Sequence, residues 1–272
     1  MNDSVVMSKF LDGVFTITLN RPDRMNAWNA DVEVNLRDAL VVAMRDPAVR
    51  IIVLTGSGKA FCAGADMEFL KDLRSGKLTV PAADQDDPWP DDTHEMFRGK
   101  FAIPAAVPKP VIAAINGPAV GIGFILSLFC DIRIGSDRAS FIGSFSRLGL
   151  IAEKGIDWAL SHIVGQGHAM EILLSGRKVG ADEALKIGLL TSVIPHAVFH
   201  TAVQAYAAEL AANISPRSAA VIKRQVQGVR FDDVATVLAR GEVALGESLK
   251  SKDFREAMDA LREKRTPEFD GL

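Results

Sequence analysis

Cysteine is scarce in this chain: Cys62 and Cys130 are the only two in 272 residues, and each sits in an apolar stretch. That excludes a disulfide framework and a cysteine-based metal site, and it suits buried thiols in a reducing compartment. An excess of one charge is also missing. With 31 basic and 34 acidic residues the net charge is −3, so no overall cationic field draws the chain to nucleic acid or to an anionic membrane. The longest apolar run, Val111 to Cys130, is broken by Asn116-Gly117-Pro118 and by Gly121 and Gly123, which divides it into strand, turn and buried helix instead of a membrane span. Met1 to Lys9 lacks the cationic start and apolar core of a secretory signal, and the expectation is a cytoplasmic protein. There is no repeat at solenoid period. The histidines, His94, His162, His168, His196 and His200, do not form the His-Glu-x-x-His pattern of a zinc site, and Gly121-Ile122-Gly123 lacks the third glycine of a dinucleotide fingerprint.

What the chain does have is enough apolar material, 48% of its residues, for one sizeable core. Met7–Leu11 and Val14–Leu19 alternate around Asp12-Gly13 as a hairpin does. Asn29 to Met44 carries Val32, Leu36, Leu40, Ala43 and Met44 at helical spacing and stops at Asp46-Pro47. Ile51–Thr55 and Val111–Ile115 read as buried strands, and helices follow from about residue 198: Ala202–Ile214, Ser215–Val226, and two more between Phe231 and Met258. The order hairpin, helix, strand, helix, strand, helix predicts an α/β fold. Residues 74 to 100 differ in composition: Asp84, Asp86, Asp87, Asp91 and Asp92 surround Pro88-Trp89-Pro90. This predicts a loop, either a solvated insertion or a lid over a substrate with Trp89 on an acyl tail.

Two stretches carry chemistry. Lys59-Ala60-Phe61-Cys62-Ala63-Gly64-Ala65-Asp66 follows a strand and reaches a helix with Asp66 as expected N-cap. Asn116 to Gly123 does the same after the next strand. Each is either a close-packed strand-to-helix connection or a set of free N–H groups aimed at an oxygen that develops negative charge, and two of them together make an oxyanion hole possible. With Leu19-Asn20-Arg21-Pro22 and Leu174-Ser175-Gly176-Arg177 added, in this order and spacing from about residue 9 to about 269, the chain resembles the crotonase (enoyl-CoA hydratase/isomerase) superfamily.

That resemblance implies a ββα spiral core over residues 1–197, with the 74–100 loop lid-like, and a C-terminal helical region over 198–272 that builds homotrimers or dimers of trimers. It implies an acyl-CoA substrate of fatty acid metabolism, with coenzyme A as part of that substrate and no separate cofactor or metal. The backbone N–H groups of Ala65 and Ile122 would form the oxyanion hole. Ala63, Asp66 and Gly121 would line the acyl-CoA site, and Arg24 and Lys264 would reach the CoA phosphates. The two positions at which familiar hydratases carry glutamates hold Ile125 and Phe145. Neither moves a proton, so simple hydration loses its acid and base.

An acidic group is present elsewhere: Glu153, in Gly-Leu-Ile-Ala-Glu, is similar in place to the acid of the enoyl-CoA isomerases, and its apolar context favours a catalytic role. Asp157 stands four residues on, either as a second acid on the same helical face or as an N-terminal helix charge and cap. The expectation is an isomerase that shifts a double bond with Glu153 alone. The alternatives are a hydratase (a lyase) using Glu153 with Asp157, a thioester or C–C hydrolase, and a non-catalytic acyl-CoA binder.

Overall fold

The computed structural model describes residues 4–66, 68, 71, 75, 88–91 and 93–270. The hairpin forms as read: β1 (Val6–Leu11) pairs antiparallel with β2 (Val14–Leu19) around Asp12, at φ 52°, and Gly13, at φ 75°. Helix α1 (Ala30–Arg45) starts at Asn29, whose side chain accepts the Val32 N–H, and it buries Val32, Leu36, Leu40 and Ala43. It leads to β3 (Ile51–Gly56). The short α2 (Ile103–Ala106), β4 (Val111–Ile115), β5 (Pro118–Val120) and α3 (Ile122–Leu128) follow.

The chain then coils on through β6 (Ile132–Ser136), β7 (Ser140–Ile142), α4 (Ile156–Ser175), β8 (Lys178–Gly180), α5 (Ala181–Lys186) and β9 (Ser192–Ile194). Successive turns of this coil feed two sheets. The larger has the order β1-β2-β3-β4-β6-β9, parallel from β2 onward, and the smaller has the order β5-β7-β8. This is the spiral α/β architecture that the resemblance implied. Pro118–Val120, which reads as part of a turn in the sequence, is instead a strand paired with Ser140–Ile142, so the glycine-rich segment enters the second sheet before it reaches its helix.

Both faces of the main sheet are covered, which is why its strands read as unbroken apolar runs. One face packs Ile52, Leu54, Ala113 and Ile115 with α1 and the second sheet. The other packs Val14, Ile51, Val53, Ile112 and Ile134 under Phe199, Val203 and Ala207 of α6 (Phe199–Asn213). Further helices among the described residues are α7 (Pro216–Gly228), α8 (Val234–Ser248) and α9 (Lys252–Glu263), each capped by a side chain, from Ser215, Asp233 and Ser251 respectively.

Most of the expected 74–100 loop, including Asp84, Asp86, Asp87 and Asp92, lies outside the described residues. Its described end is not plain loop: Glu95–Arg98 is a 3₁₀ turn that buries Phe97, and Trp89 is buried in the core. Among the described residues no helix is long and apolar enough to cross a membrane.

Candidate active site

The turn that leaves β3 is held by two buried asparagines. The Asn26 amide donates to the carbonyls of Ser57 and Ala60, both at 2.8 Å, and its oxygen accepts the Arg21 N–H at 2.8 Å. Asn116 donates to Gly58 O at 3.2 Å and Ala60 O at 3.1 Å and accepts the Gly56 N–H at 3.2 Å. A buried amide is affordable only when its donors and acceptor are used, and here they are used to fix Gly56 to Ala60. Sequence reasoning missed Asn26 altogether. The one local signal is an asparagine among the turn residues of 20–29, with no periodicity to set it apart.

The same turn is laced to the second. Cys62 bridges Ala119, through Cys62 N to Pro118 O at 3.2 Å and Val120 N to Cys62 O at 2.9 Å. A Cβ on Gly64, at φ +91°, would stand 3.1 Å from the Val120 carbonyl oxygen, and Gly121 is at φ +49°; such angles suit residues without a Cβ. On the other side Trp28 bridges Ala65, with Trp28 N to Gly64 O at 2.7 Å and Asp66 N to Trp28 O at 2.9 Å. In a parallel bridge the partner residue turns its own N–H and C=O the other way, so Ala65 points its N–H away from Trp28. Ile122 is the first residue of α3, and the first turn bond runs from Ile125 N to Gly121 O. Among the described residues neither the Ala65 nor the Ile122 N–H has a protein acceptor. The fold therefore brings Gly64 against Val120 and Gly121, with Ala65 and Ile122 the next residue along each turn.

Asp66 is locked from both sides. Its carboxylate accepts from Arg21 Nη2 at 2.8 Å and from the Glu68 N–H at 3.1 Å, and these two bonds, the arginine's first, hold its pKa below the ordinary value. Arg21 also donates to Ala27 O. Arg24 is exposed on the adjacent 3₁₀ turn, 3.9 Å from Glu68. Lys264 ends α9 in a left-handed conformation at φ 54°, and among the described residues its ammonium group pairs with no carboxylate.

Ile125 is fully buried in α3 and Phe145 is buried beside Gly143. Glu153 is half-buried, and among the described residues its carboxylate meets no donor or cation. It precedes a left-handed pair, Lys154 at φ 56° and Gly155 at φ 76°, and α4 begins only at Ile156 with Gly155 as N-cap. Two expectations change accordingly. Glu153 and Asp157 do not share a helical face, because Glu153 is outside the helix. Asp157 is not the cap but an exposed first-turn acid, where it complements the dipole. Leu150 and Ile151, whose apolar character suggested an enclosed setting for Glu153, are 51% and 78% exposed.

The Glu153 turn is backed by aromatics that no sequence period reveals. A Cβ on Gly155 would stand 3.3 Å from the Phe129 ring and 3.7 Å from Met96 Cε. Phe97 lies edge-on to Phe129 and Trp158, Phe231 stacks on Trp158 at 5.4 Å, and His94 stacks on Phe231 at 3.9 Å. Both thiols are buried, which pushes Cys62 up to about 11 and Cys130 up to about 12. His200 is held below its ordinary pKa by burial and then by His196. Among the described residues no three His, Cys, Asp or Glu side chains converge as a metal site requires. A large cavity, about 640 Å³, opens elsewhere, between the C-terminal helices and the sheet; the candidate functional groups are the free N–H groups of Ala65 and Ile122 and, separately, the unpaired carboxylate of Glu153.

The sequence model of the enoyl-CoA hydratase/isomerase family matches residues 9–271. The chain is 32% identical over 266 residues, 98% of each chain, to the 1,2-epoxyphenylacetyl-CoA isomerase of Escherichia coli K12. It is 36% identical to a probable enoyl-CoA hydratase of Rhodobacter capsulatus, with both chains covered in full. Among solved structures, the enoyl-CoA hydratase of Bacillus anthracis superposes with a TM-score of 0.86 at 29% identity, over 98% of this chain and 100% of the other.

Proposed function

This chain belongs to the enoyl-CoA hydratase/isomerase family, and from that premise we propose that it is an isomerase that moves a double bond along an acyl-CoA thioester with one carboxylate, Glu153. The observation that carries this reading is that Ile125 and Phe145, where hydratases of the family hold glutamates, are apolar and buried, while Glu153 is unpaired and partly open to solvent. Hydration needs a water deprotonated and a carbon protonated nearly together, whereas a double-bond shift needs one group that takes a proton and gives it back.

The thioester oxygen accepts from the Ala65 and Ile122 N–H groups, which acidifies the α-carbon because the enolate oxygen is held more strongly than the ground-state carbonyl. Each such donor contributes about 3 kcal/mol. Glu153 takes the proton from C2 of a 3-enoyl thioester, and the electron pair spreads into a dienolate. The same proton returns at C4, the carbonyl re-forms, and the double bond rests at C2–C3 with no net change in composition. Ile122 contributes only its N–H, and its side chain narrows the site. Arg24 and Lys264 hold the CoA phosphates, with Lys264 reaching a neighbouring subunit's nucleotide in a trimer. No cofactor beyond the substrate's own CoA is invoked.

The test is ultraviolet absorbance of the conjugated enoyl thioester, with matched 3-enoyl-CoA and 2-enoyl-CoA and with Glu153→Gln alongside. Rising absorbance from the 3-enoyl compound, abolished in the variant, is the expected result. Loss of absorbance from the 2-enoyl compound, or an unchanged rate in Glu153→Gln, would overturn the isomerase assignment. Sedimentation equilibrium reports the assembly, with a mass three or six times that of the chain expected.

A further inference from the structure

The cavity under the C-terminal helices lies beside Pro110 and Ile132, at the starts of β4 and β6. The glycine turns leave from the other ends of β3 and β4. A strand of five residues spans about 17 Å at roughly 3.3 Å per residue, so the two places are separated by the length of the strands. The cavity measures about 640 Å³, within the range of roughly 300–1,000 Å³ that small-molecule sites occupy. Its walls are largely apolar, with Leu210, Ile214, Ile222 and Phe254 prominent.

Charge in this cavity is unbalanced: Arg133, Lys223 and Arg230 face it, against Asp131 and Asp253. Four of these five are committed. Arg133 donates to the carbonyls of Leu189, Ser127 and Cys130. Lys223 pairs with Asp131 at 2.7 Å and donates to the carbonyls of Pro104 and Lys109. Asp253 accepts from Ser215. Arg230 is left. Its guanidinium lies 4.9 Å from the Trp158 ring centre, and among the described residues it meets no carboxylate or carbonyl. Burial lowers its pKa and nearby Asp131 acts the other way.

We propose that this cavity is a second binding site, for a monoanionic amphiphile of the fatty-carboxylate kind, with the chain among Leu210, Ile214, Ile222 and Phe254 and the carboxylate on Arg230. A guanidinium presents its donors as a fork that matches a carboxylate, and one negative charge balances the one cation in excess. The ring of Trp158 fixes the guanidinium plane before the ligand arrives, so little order is lost on binding. The cavity contains none of the Ala65 turn, the Ile122 turn or Glu153, but Phe97 and Phe129 in its wall, and Trp158 under Arg230, are the aromatics on the far side of the Glu153 turn.

The test is calorimetric titration of the full chain with dodecanoate below its micelle concentration, with 1-dodecanol as the uncharged control. Dodecanoate is expected to bind, and Arg230→Met to weaken it roughly tenfold or more, with dodecanol binding and the unfolding midpoint unchanged. Saturating butyryl-CoA is expected to leave dodecanoate binding intact. Equal affinity in Arg230→Met, or displacement by butyryl-CoA, would place the ligand at the thioester turns and overturn the proposal. No binding of dodecanoate would overturn it too, and a lower sedimentation mass for Ile222→Glu would then make the groove a contact between copies of this chain.

Discussion

Gly123 is pressed against Cys62: a Cβ on residue 123 would stand 2.7 Å from the Cys62 Cβ and closer still to its carbonyl oxygen. This contact sets how near α3 comes to the turn after β3, and so how near the Ile122 N–H comes to that of Ala65.

Gly123→Ala is therefore expected to destabilise the protein by about 1–3 kcal/mol in urea unfolding, because backbone must shift. Gly241→Ala, in α8 with open space around it, is expected to stabilise by about 0.5–1 kcal/mol. Equal effects would show that the contact with Cys62 is not close.

Asn26→Ala leaves the Ser57 carbonyl and the Arg21 N–H without a partner. The expected loss is about 3 kcal/mol or more, with activity falling further than stability explains. Asn29→Ala removes the cap of α1 and a long, exposed bond to Asp31 and is expected to cost about 1 kcal/mol with turnover intact. Comparing unfolding curves with steady-state rates for both variants checks this.

Asp66 titrates below its ordinary value because of Arg21 and the Glu68 N–H. A depressed carboxyl pKa contributes stability that is present above the unfolded value of about 3.9 and is lost as pH falls through the folded value. Arg21→Met is expected to raise the pH of acid unfolding. An unchanged acid midpoint, followed by circular dichroism, would remove the ion pair from the account.

Lys109 is lowered to about 8, by burial first, with Asp46 raising and Arg50 lowering it. Its Nζ donates to the carbonyls of Ala43 and Asp46 at the end of α1. Between about 8 and the unfolded value of about 10.4 the unfolded chain binds the extra proton, so stability is expected to rise with pH in that window. Lys109→Met should lose this rise, as thermal midpoints between pH 7.5 and 10.5 would reveal.

The elements legible in the sequence are those set by near neighbours. The Asp12-Gly13 hairpin and α1 formed where turn chemistry and helical spacing put them, and the two glycine-rich turns were visible from their strand-to-helix position. Less legible was whatever a distant partner decides. Pro118–Val120 is a strand because Ser140–Ile142 and Cys62 pair with it, and alone it has the composition of a turn. Asp157 as a first-turn helix charge was legible, whereas spacing alone left open a helical face shared with Glu153, because it does not reveal the left-handed pair at Lys154 and Gly155.

The sequence by itself determined the α/β class, the hairpin, the first helix, the two central strands, the start of the C-terminal helices and the family resemblance, because each is written in local composition, period and motif. Tertiary structure alone decided that Asn26 and Asn116 would clamp one turn and that Arg21 would lock Asp66 across 45 residues. It likewise decided that Phe129 would stand behind Gly155 and that Phe97, Trp158 and Phe231 would cluster beside it. Buried polar groups and aromatic rings take whichever partner the folded chain presents, and that choice leaves no period in the sequence.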